Sequence, residues 1–417
     1  MTYILIHNGT IIDGTGKNPL KNGSILLKDN KIIQVSKKDL LDLPDDKIIE
    51  IDAENGYILP GFIDTHVHLL FDGFSFDKII YTPLSLYFYK AIKNMLLTLN
   101  AGVTTVRDAG MADIGLKLAV EQNLIKGPRM QISVAPLSIT GGHFDLMLNT
   151  GFDATIKYPG FPDARCDGVE NVRKKVREVL RAGADVIKVM TTGGVISPND
   201  RSEYTQFTQE EIKVMVEEGE YREGVKVMAH AHGTQGIKNA VKAGVHSVEH
   251  GTYLDDECID LMLSKDTYLI PTLYVIKYNG EIAKSGLGDL PDWLHNQAIE
   301  IVDIHRQNII KAYQMGVKIV MGTDCGIAPH GNNLQELGLL CDVGMSPMES
   351  IMAGTKNAAK CLGWEDQIGT LEQGKLADIV ICKKDPLKDI DVLADHKNII
   401  MVIKDGVVVK NISKSKL

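Results

Sequence analysis

The sequence predicts an α/β fold: a (β/α)8 (TIM) barrel over residues 58–363 and a small β-sandwich domain formed by both chain ends, 1–57 plus 364–417. Three observations predict it. Eight apolar, strand-like runs recur between positions 58 and 322, separated by helix-like stretches. Glycine stands just before many of those runs. Both ends of the chain are patterned differently, with short apolar runs broken by turn residues.

The N-terminal stretch reads as hairpins. Ile4-Leu5-Ile6 meets Asn8-Gly9, and Thr10-Ile11-Ile12 meets Asp13-Gly14. Ser24-Ile25-Leu26-Leu27 turns through Lys28-Asp29-Asn30-Lys31 into Ile32-Ile33-Gln34-Val35. The C-terminal stretch has the same pattern, with apolar runs at 377–382 and 398–403, then Lys404-Asp405-Gly406 turning into Val407-Val408-Val409. Two strand-rich ends flanking a different middle imply one small domain built from both.

In the middle, strand-like runs stand at 58–68, 103–107, 130–135, 185–190, 225–230, 247–250, 268–273 and 317–322. Helix-like stretches include 84–99, 168–181, 208–222 and 291–315. Gly102, Gly183, Gly224, Gly244 and Gly316 supply the left-handed residue that closes a helix before the next strand. A last helix over 347–361 opens with Ser346 as cap and Glu349 three residues on, a capping-box pattern.

Composition narrows the function classes. The 417 residues are 44% hydrophobic and 24% charged, ordinary for a globular chain with a large core. A formal net charge of -9 excludes non-specific binding to nucleic-acid phosphates. Lys410, Lys414 and Lys416 read as a solvated tail. The opening apolar run is too short for a signal peptide, and no stretch reaches the length of a membrane span. The six scattered cysteines form no C-x-x-C pair and read as free thiols in a reducing cytoplasm; Cys325, near the site described next, reads as packing.

Five signals carry chemistry. Asp64-Thr65-His66-Val67-His68 ends the first barrel strand. Residues two apart share a strand face at about 7 Å, so both imidazoles can converge on one ion; two barrel-lining histidines would look the same. Lys188 lies inside the apolar run Val186-Ile187-Lys188-Val189-Met190. A lysine there either escapes to the strand end, meets a carboxylate, or has a depressed pKa that lets its amine form a carbamate with carbon dioxide. His230-Ala231-His232 is a second H-x-H at a strand end, Glu249-His250-Gly251 follows on the next strand, and Gly322-Thr323-Asp324 ends the eighth, where glycine leaves room beside a metal. Singly each is modest. Together they place histidines or carboxylates on strands one, five, six and eight and a lysine on strand four, and this fold gathers catalytic groups at the C-terminal ends of several strands.

On His66, His68, Lys188, His230, His250 and Asp324 the chain resembles the amidohydrolase superfamily. It looks closest to the prolidase-like and imidazolonepropionase-like branch, where Val103-Thr104-Thr105-Val106-Arg107-Asp108, Gly141-Gly142-His143 and Gly193-Gly194-Val195-Ile196-Ser197-Pro198 have similar counterparts. The resemblance implies two divalent metal ions. His66, His68 and Asp324 would hold one and His230 and His250 the other, bridged by carbamylated Lys188 and a hydroxide. Zinc suits nitrogen with carboxylate oxygen, manganese and cobalt being the alternatives. The implied reaction is hydrolysis of the amide bond of dipeptides or N-acyl amino acids, Xaa-Pro dipeptidase-like or carboxypeptidase-like. The bridging hydroxide would be the nucleophile, with Asp324 as general base and then general acid. A cyclic-amide hydrolase or deaminase of the imidazolonepropionase type is one alternative; a catalytically inactive binding or assembly barrel is another. Relatives commonly assemble, which implies a homo-oligomer; a small-molecule substrate is expected, with no nucleic-acid or membrane partner.

Further residues are candidates for substrate contact. His143 follows Gly141-Gly142 after the third strand and can hold a carboxylate or a developing oxyanion. His232 shares a face with His230, one step nearer the mouth, where some relatives carry tyrosine. Arg201 and Tyr204 are specificity candidates in the loop 197–207, where Arg201 can pair with a carboxylate, although a surface salt bridge suits it better. Residues 274–293 form a second specificity segment, and His330, on the loop after Asp324, can line the pocket. His7, His246, His295, His305 and His396 read as structural or surface residues.

Overall fold

The computed structural model describes residues 2–73, 76–195, 200–285 and 292–413. Outside them lie residues 196–198 of the Gly193-to-Pro198 stretch, 197–199 of the loop 197–207, 286–291 of the second specificity segment, Pro291 at the start of an expected helix, and the tail residues Lys414 and Lys416.

The chain begins with strands β1 (Tyr3–Ile11), β2 (Leu20–Lys28), β3 (Lys31–Lys37), β4 (Ile48–Asp52) and β5 (Tyr57–Pro60). Strands β6 (Phe62–Val67), β7 (Val103–Asp108), β8 (Arg129–Ile132), β9 (Val186–Met190), β10 (Lys226–Ala231), β11 (Ser247–His250) and β12 (Tyr268–Ile270) follow. The end of the chain adds β13 (Ile379–Cys382), β14 (Ile399–Lys404) and β15 (Val407–Asn411). Helices α1 (Phe76–Tyr81), α2 (Leu84–Asn100), α3 (Ile114–Glu121), α4 (Val169–Arg181), α5 (Gln209–Glu220), α6 (Thr234–Ala243) and α7 (Asp256–Lys265) lie between the central strands. Then come α8 (Leu273–Ser285), α9 (Asp292–Gln314), α10 (Gln335–Asp342), α11 (Pro347–Ala353) and α12 (Lys356–Leu362). Among the described residues no helix is long and apolar enough to cross a membrane.

Both chain ends meet in one eight-stranded sheet, ordered β15-β14-β13-β5-β1-β2-β3, with β4 also paired to β1. Its seam is the antiparallel pair of β5 and β13, in register Leu59 to Val380 and Ile58 to Ile381. Ile6, Ile25, Ile58, Ile381 and Ile403, all fully buried, form part of its own core. The central strands are all parallel, in sheets β6-β7-β8 and β9-β10-β11-β12. Isolated parallel bridges carry the pairing on: Leu137 to Val189 links the chain beyond β8 to β9, Leu269 to Ile319 links β12 to segment 317–325, and Val67 to Cys325 links that segment to β6. Followed round, each parallel strand has a neighbour on either side.

Helices pack outside these strands through one apolar stripe. In α4 the buried residues are Val172, Val176 and Val179, spaced four and three apart, as one helix face requires. Thr208 caps α5 with Glu211 in a capping box, and Ser346 caps α11 with Glu349 in the same way.

Three elements differ from what the sequence suggests. The run 58–68 is two strands, because Gly61 passes the chain from one sheet to the other. Its N–H donates to Asp378 O at 2.8 Å, and a Cβ there would collide with Thr104. The stretch 347–361 breaks between α11 and α12, because strand N–H groups take the carbonyls a longer helix would use: Met321 N donates to Ala353 O and Ile63 N to Gly354 O. The eighth run is joined to its neighbours only by isolated bridges. Its Met321 N–H turns toward Ala353, and Asp324 turns left-handed at φ 59°.

Candidate active site

Parallel strands point their C-terminal ends to one rim, and at that rim lies a cavity of about 810 Å³ open toward solvent. His66, His68, His143, Lys188, His230, His232, His250 and Asp324 all line it. They come from the ends of β6, β9, β10 and β11, the loop after β8 and segment 317–325.

Two groups of donors face each other. In the first, Asp324 Oδ1 lies 3.3 Å from His68 Nε2 and 3.6 Å from His66 Nε2. The other nitrogen of each ring is already committed. His66 Nδ1 lies 2.6 Å from Glu249 Oε2, and His68 Nδ1 lies 3.1 Å from the Gly110 carbonyl. A carbonyl only accepts, so His68 Nδ1 carries a proton, and Nε2 is the ring nitrogen left facing Asp324. Asp324 Oδ1 is buried and has no partner in hydrogen-bond geometry among the described residues. Two ring nitrogens and a carboxylate oxygen without a hydrogen bond, brought together in this way, fit a cation.

In the second group His230, His232 and His250 bring ligand atoms within 4.8 Å of one another, as do His66, His68 and Asp324. Again one nitrogen of each ring is taken. His230 Nε2 donates to Gly193 O at 3.1 Å, His232 Nδ1 lies 2.7 Å from Thr252 Oγ1, and His250 Nδ1 lies 2.7 Å from Thr272 Oγ1. Orienting partners of this kind fix which nitrogen a metal meets. The His232 and His250 rings stack at 4.7 Å and 7°, while His143 stacks on His230 at 4.4 Å and 20°. His143 reaches that position because Gly194 has no side chain; a Cβ there would fall on the imidazole. Gly322 acts likewise, since a Cβ would press on Ile270 and on His66.

Electrostatics favour the ligand forms. Burial pushes His66 and His143 down to about 4, and His230, His232 and His250 well below the usual imidazole range. Those rings stay neutral, with lone pairs available. For His68, burial opposes the charged form, but Asp324 outweighs it and raises the pKa. Lys188 is 1% exposed and burial lowers its amine to about 8, although the charges of Glu249 and Asp324 work the other way. Backbone strain gathers here too: His250 stands at φ 70° and Thr272 at φ 49°, both in the left-handed region that L-residues rarely occupy.

A supporting pair escapes the motif reading. Arg107, 1% exposed, donates to Thr65 O at 2.7 Å and to Glu249 Oε1 at 3.1 Å, and Glu249 in turn holds His66. Burial raises the Glu249 pKa, but Arg107 and His66 overcome this and hold it down at about 2. Arg107→Met strands a buried carboxylate and frees His66 to rotate. Its expected effect is a stability loss of about 3–5 kcal/mol and a roughly 10- to 100-fold loss of metal affinity. Thermal unfolding and metal titration check both, and wild-type metal affinity in the variant refutes the orienting role.

Three expected substrate contacts lie elsewhere. Arg201 is exposed and is not in the cavity lining, and the Tyr204 side chain is 56% exposed while its carbonyl accepts from Gly193 N. The segment from 200 folds back on the strand through this hydrogen bond and turns both side chains outward. His330 is buried outside the cavity, its Nε2 3.2 Å from His68 O and 3.1 Å from Phe71 O, so it braces the loop after β6. The cavity wall instead includes Phe71, Phe144, Val275, Ile276, Asn279 and Ile327, none of them individually marked by a motif.

The chain matches the Amidohydrolase family over residues 57–409. It is 34% identical to the ochratoxinase of Aspergillus niger over 96% of this chain and 85% of that protein. A crystal structure of a Xaa-Pro dipeptidase with methionine bound in its active site is 34% identical, with TM-score 0.88, covering 98% of this chain and 99% of that one. A crystal structure of a prolidase complexed with N-methylphosphonate-L-proline is 30% identical, with TM-score 0.89, covering 98% of this chain and 100% of that one.

Proposed function

This chain belongs to the amidohydrolase family, in its prolidase-like branch, and from that premise we propose that it hydrolyses the amide bond of dipeptides or N-acyl amino acids at a two-metal centre. It is a hydrolase acting on carbon–nitrogen bonds. The observation that carries the finer reading is the pair of three-donor groups facing each other in the cavity that Lys188 also lines.

In this reading the linked parallel strands form a closed eight-stranded barrel over 58–363, and the shared sheet is a separate domain of 1–57 plus 364–417. In the same reading the protein works in a reducing cytoplasm, a setting that the free cysteines suit. His66, His68 and Asp324 would hold one divalent ion, and His230 and His250 the other, with zinc suited to both donor sets. Two such cations lower the pKa of water toward neutrality and polarise a carbonyl. The remaining steps belong to the protein. The free-base Lys188 amine would attack carbon dioxide, forming a nitrogen–carbon bond as one carbon–oxygen π bond opens and losing its proton to solvent, and the carbamate would supply a carboxylate ligand to the ions. Asp324 accepts a proton from the attacking water and returns it to the departing nitrogen. His143 and His232 turn toward the substrate carbonyl and hold it as negative charge develops.

His232 separates two roles. If it faces substrate, His232→Ala keeps both metals and lowers kcat by about 10²- to 10³-fold. Metal analysis by mass spectrometry beside steady-state kinetics checks this; loss of one metal per chain would make it a ligand instead. The reading as a whole is tested by a library of dipeptides and N-acyl amino acids, with zinc and bicarbonate supplied and amino-acid release measured. Release of a free amino acid supports it. Cleavage of cyclic amides alone, or of nothing, overturns it.

A further inference from the structure

We infer that the cavity selects amides whose released amino acid carries a large, uncharged, apolar side chain, seated on a wall of Phe71, Val275, Ile276 and Ile327. The inference rests on the amide-hydrolase reading and names the substrate class within it.

The wall stands on one side of the site. Phe71 lies three residues beyond His68, Ile327 three beyond Asp324, and Val275 and Ile276 open α8 just after β12. The segments that carry them are neighbours around the strands, through the bridges Leu269 to Ile319 and Val67 to Cys325. All four side chains line the same cavity as Asp324. If Asp324 delivers the proton to the departing nitrogen, the residue carrying that nitrogen lies on this side, and its side chain meets this wall.

The wall is held rigidly. The Phe71 ring packs 5.8 Å from His68, and its backbone is tied to His68 O through N–H and to His330 through its carbonyl. Ile327 N donates to Asp324 O at 3.1 Å. The start of α8 is fixed by the buried carboxylate of Glu336, which accepts from Leu273 N at 2.9 Å and Tyr274 N at 2.7 Å. A preformed apolar surface binds without an ordering cost.

Its chemistry excludes charge. Among the described residues lining the cavity, α8 contributes one polar side chain, Asn279, and no cation or carboxylate stands beside the wall except the metal-site groups. Arg201 lies outside the lining. A lysine, arginine, aspartate or glutamate side chain would lose its hydration there without a partner. Each methylene that the wall buries raises kcat/KM about fourfold.

The test is a matched series of N-acetyl amino acids with the zinc-loaded full-length protein: alanine, leucine, methionine, phenylalanine, lysine, arginine, aspartate and glutamate. The expected kcat/KM rises at least about tenfold from alanine to leucine, methionine and phenylalanine. The four charged substrates fall at least about 100-fold below leucine. Ile327→Glu, and independently Ile276→Glu, are expected to shift the lysine-to-leucine ratio toward lysine by at least about tenfold. Charged substrates turned over as well as leucine, or a ratio unmoved in both variants, overturns the wall while leaving amide hydrolysis standing. Failure of the loaded enzyme to cleave any amide overturns both.

Discussion

Asp324→Asn is expected to lower kcat by about 10²- to 10⁴-fold, the range lost with a positioned acid–base group, while the protein stays folded. The substitution is nearly isosteric. Asparagine tolerates the left-handed backbone that Asp324 adopts at φ 59°, and the Asp324 N–H keeps its 2.7 Å bond to His66 O. The amide oxygen can still face His66 and His68. What disappears is the capacity to take a proton and give it back. Metal content should therefore fall far less than turnover, and the two measurements on one preparation separate the roles. Near-wild-type kcat in a metal-replete variant would remove Asp324 from proton transfer.

Replacement of Lys188 should have the second large effect and an opposite sign in stability. Lys188→Met removes an amine that burial disfavours in its charged form and fills the same space with an apolar chain. Its melting temperature is expected to rise in metal-free buffer. Activity is expected to drop about 10³-fold, the scale of losing a preorganised charge at the reacting centre. In Lys188→Ala, where the side chain leaves a gap, added short-chain carboxylic acids are expected to restore part of both metal content and turnover by occupying the place of the carbamate. A more stable but inactive methionine variant, together with rescue of the alanine variant, identifies Lys188 as a ligand-forming group. A variant that keeps both metals and full turnover rejects the carbamate.

The site was largely legible because its donors sit in short patterns. His66 with His68, and His230 with His232, each lie two apart on a strand, and Lys188 breaks an apolar run where a charge needs a reason. Glu249 breaks an apolar run in the same way, between Val248 and His250. Its partner Arg107 is 142 positions away, so only three dimensions reveal the pair. The outward turn of Arg201 and Tyr204 is not legible, because composition does not tell which way a loop turns its side chains. At the wall, Val275 and Ile276 fall in the specificity segment 274–293, while Phe71 and Ile327 carry no pattern; apolar residues there look like any others until the strands bring two loops and the start of α8 together. The break at Gly354 is equally tertiary, set by N–H groups of distant strands competing for helix carbonyls.

The seam between β5 and β13 bears on biosynthesis. On the ribosome, β5 emerges before all of the central parallel strands, while the strand that covers its edge follows all of them. Until Ile379 to Cys382 emerge, that edge offers unsatisfied backbone groups to any nascent neighbour. The shared sheet can therefore close only after the parallel strands that line the site have all been made.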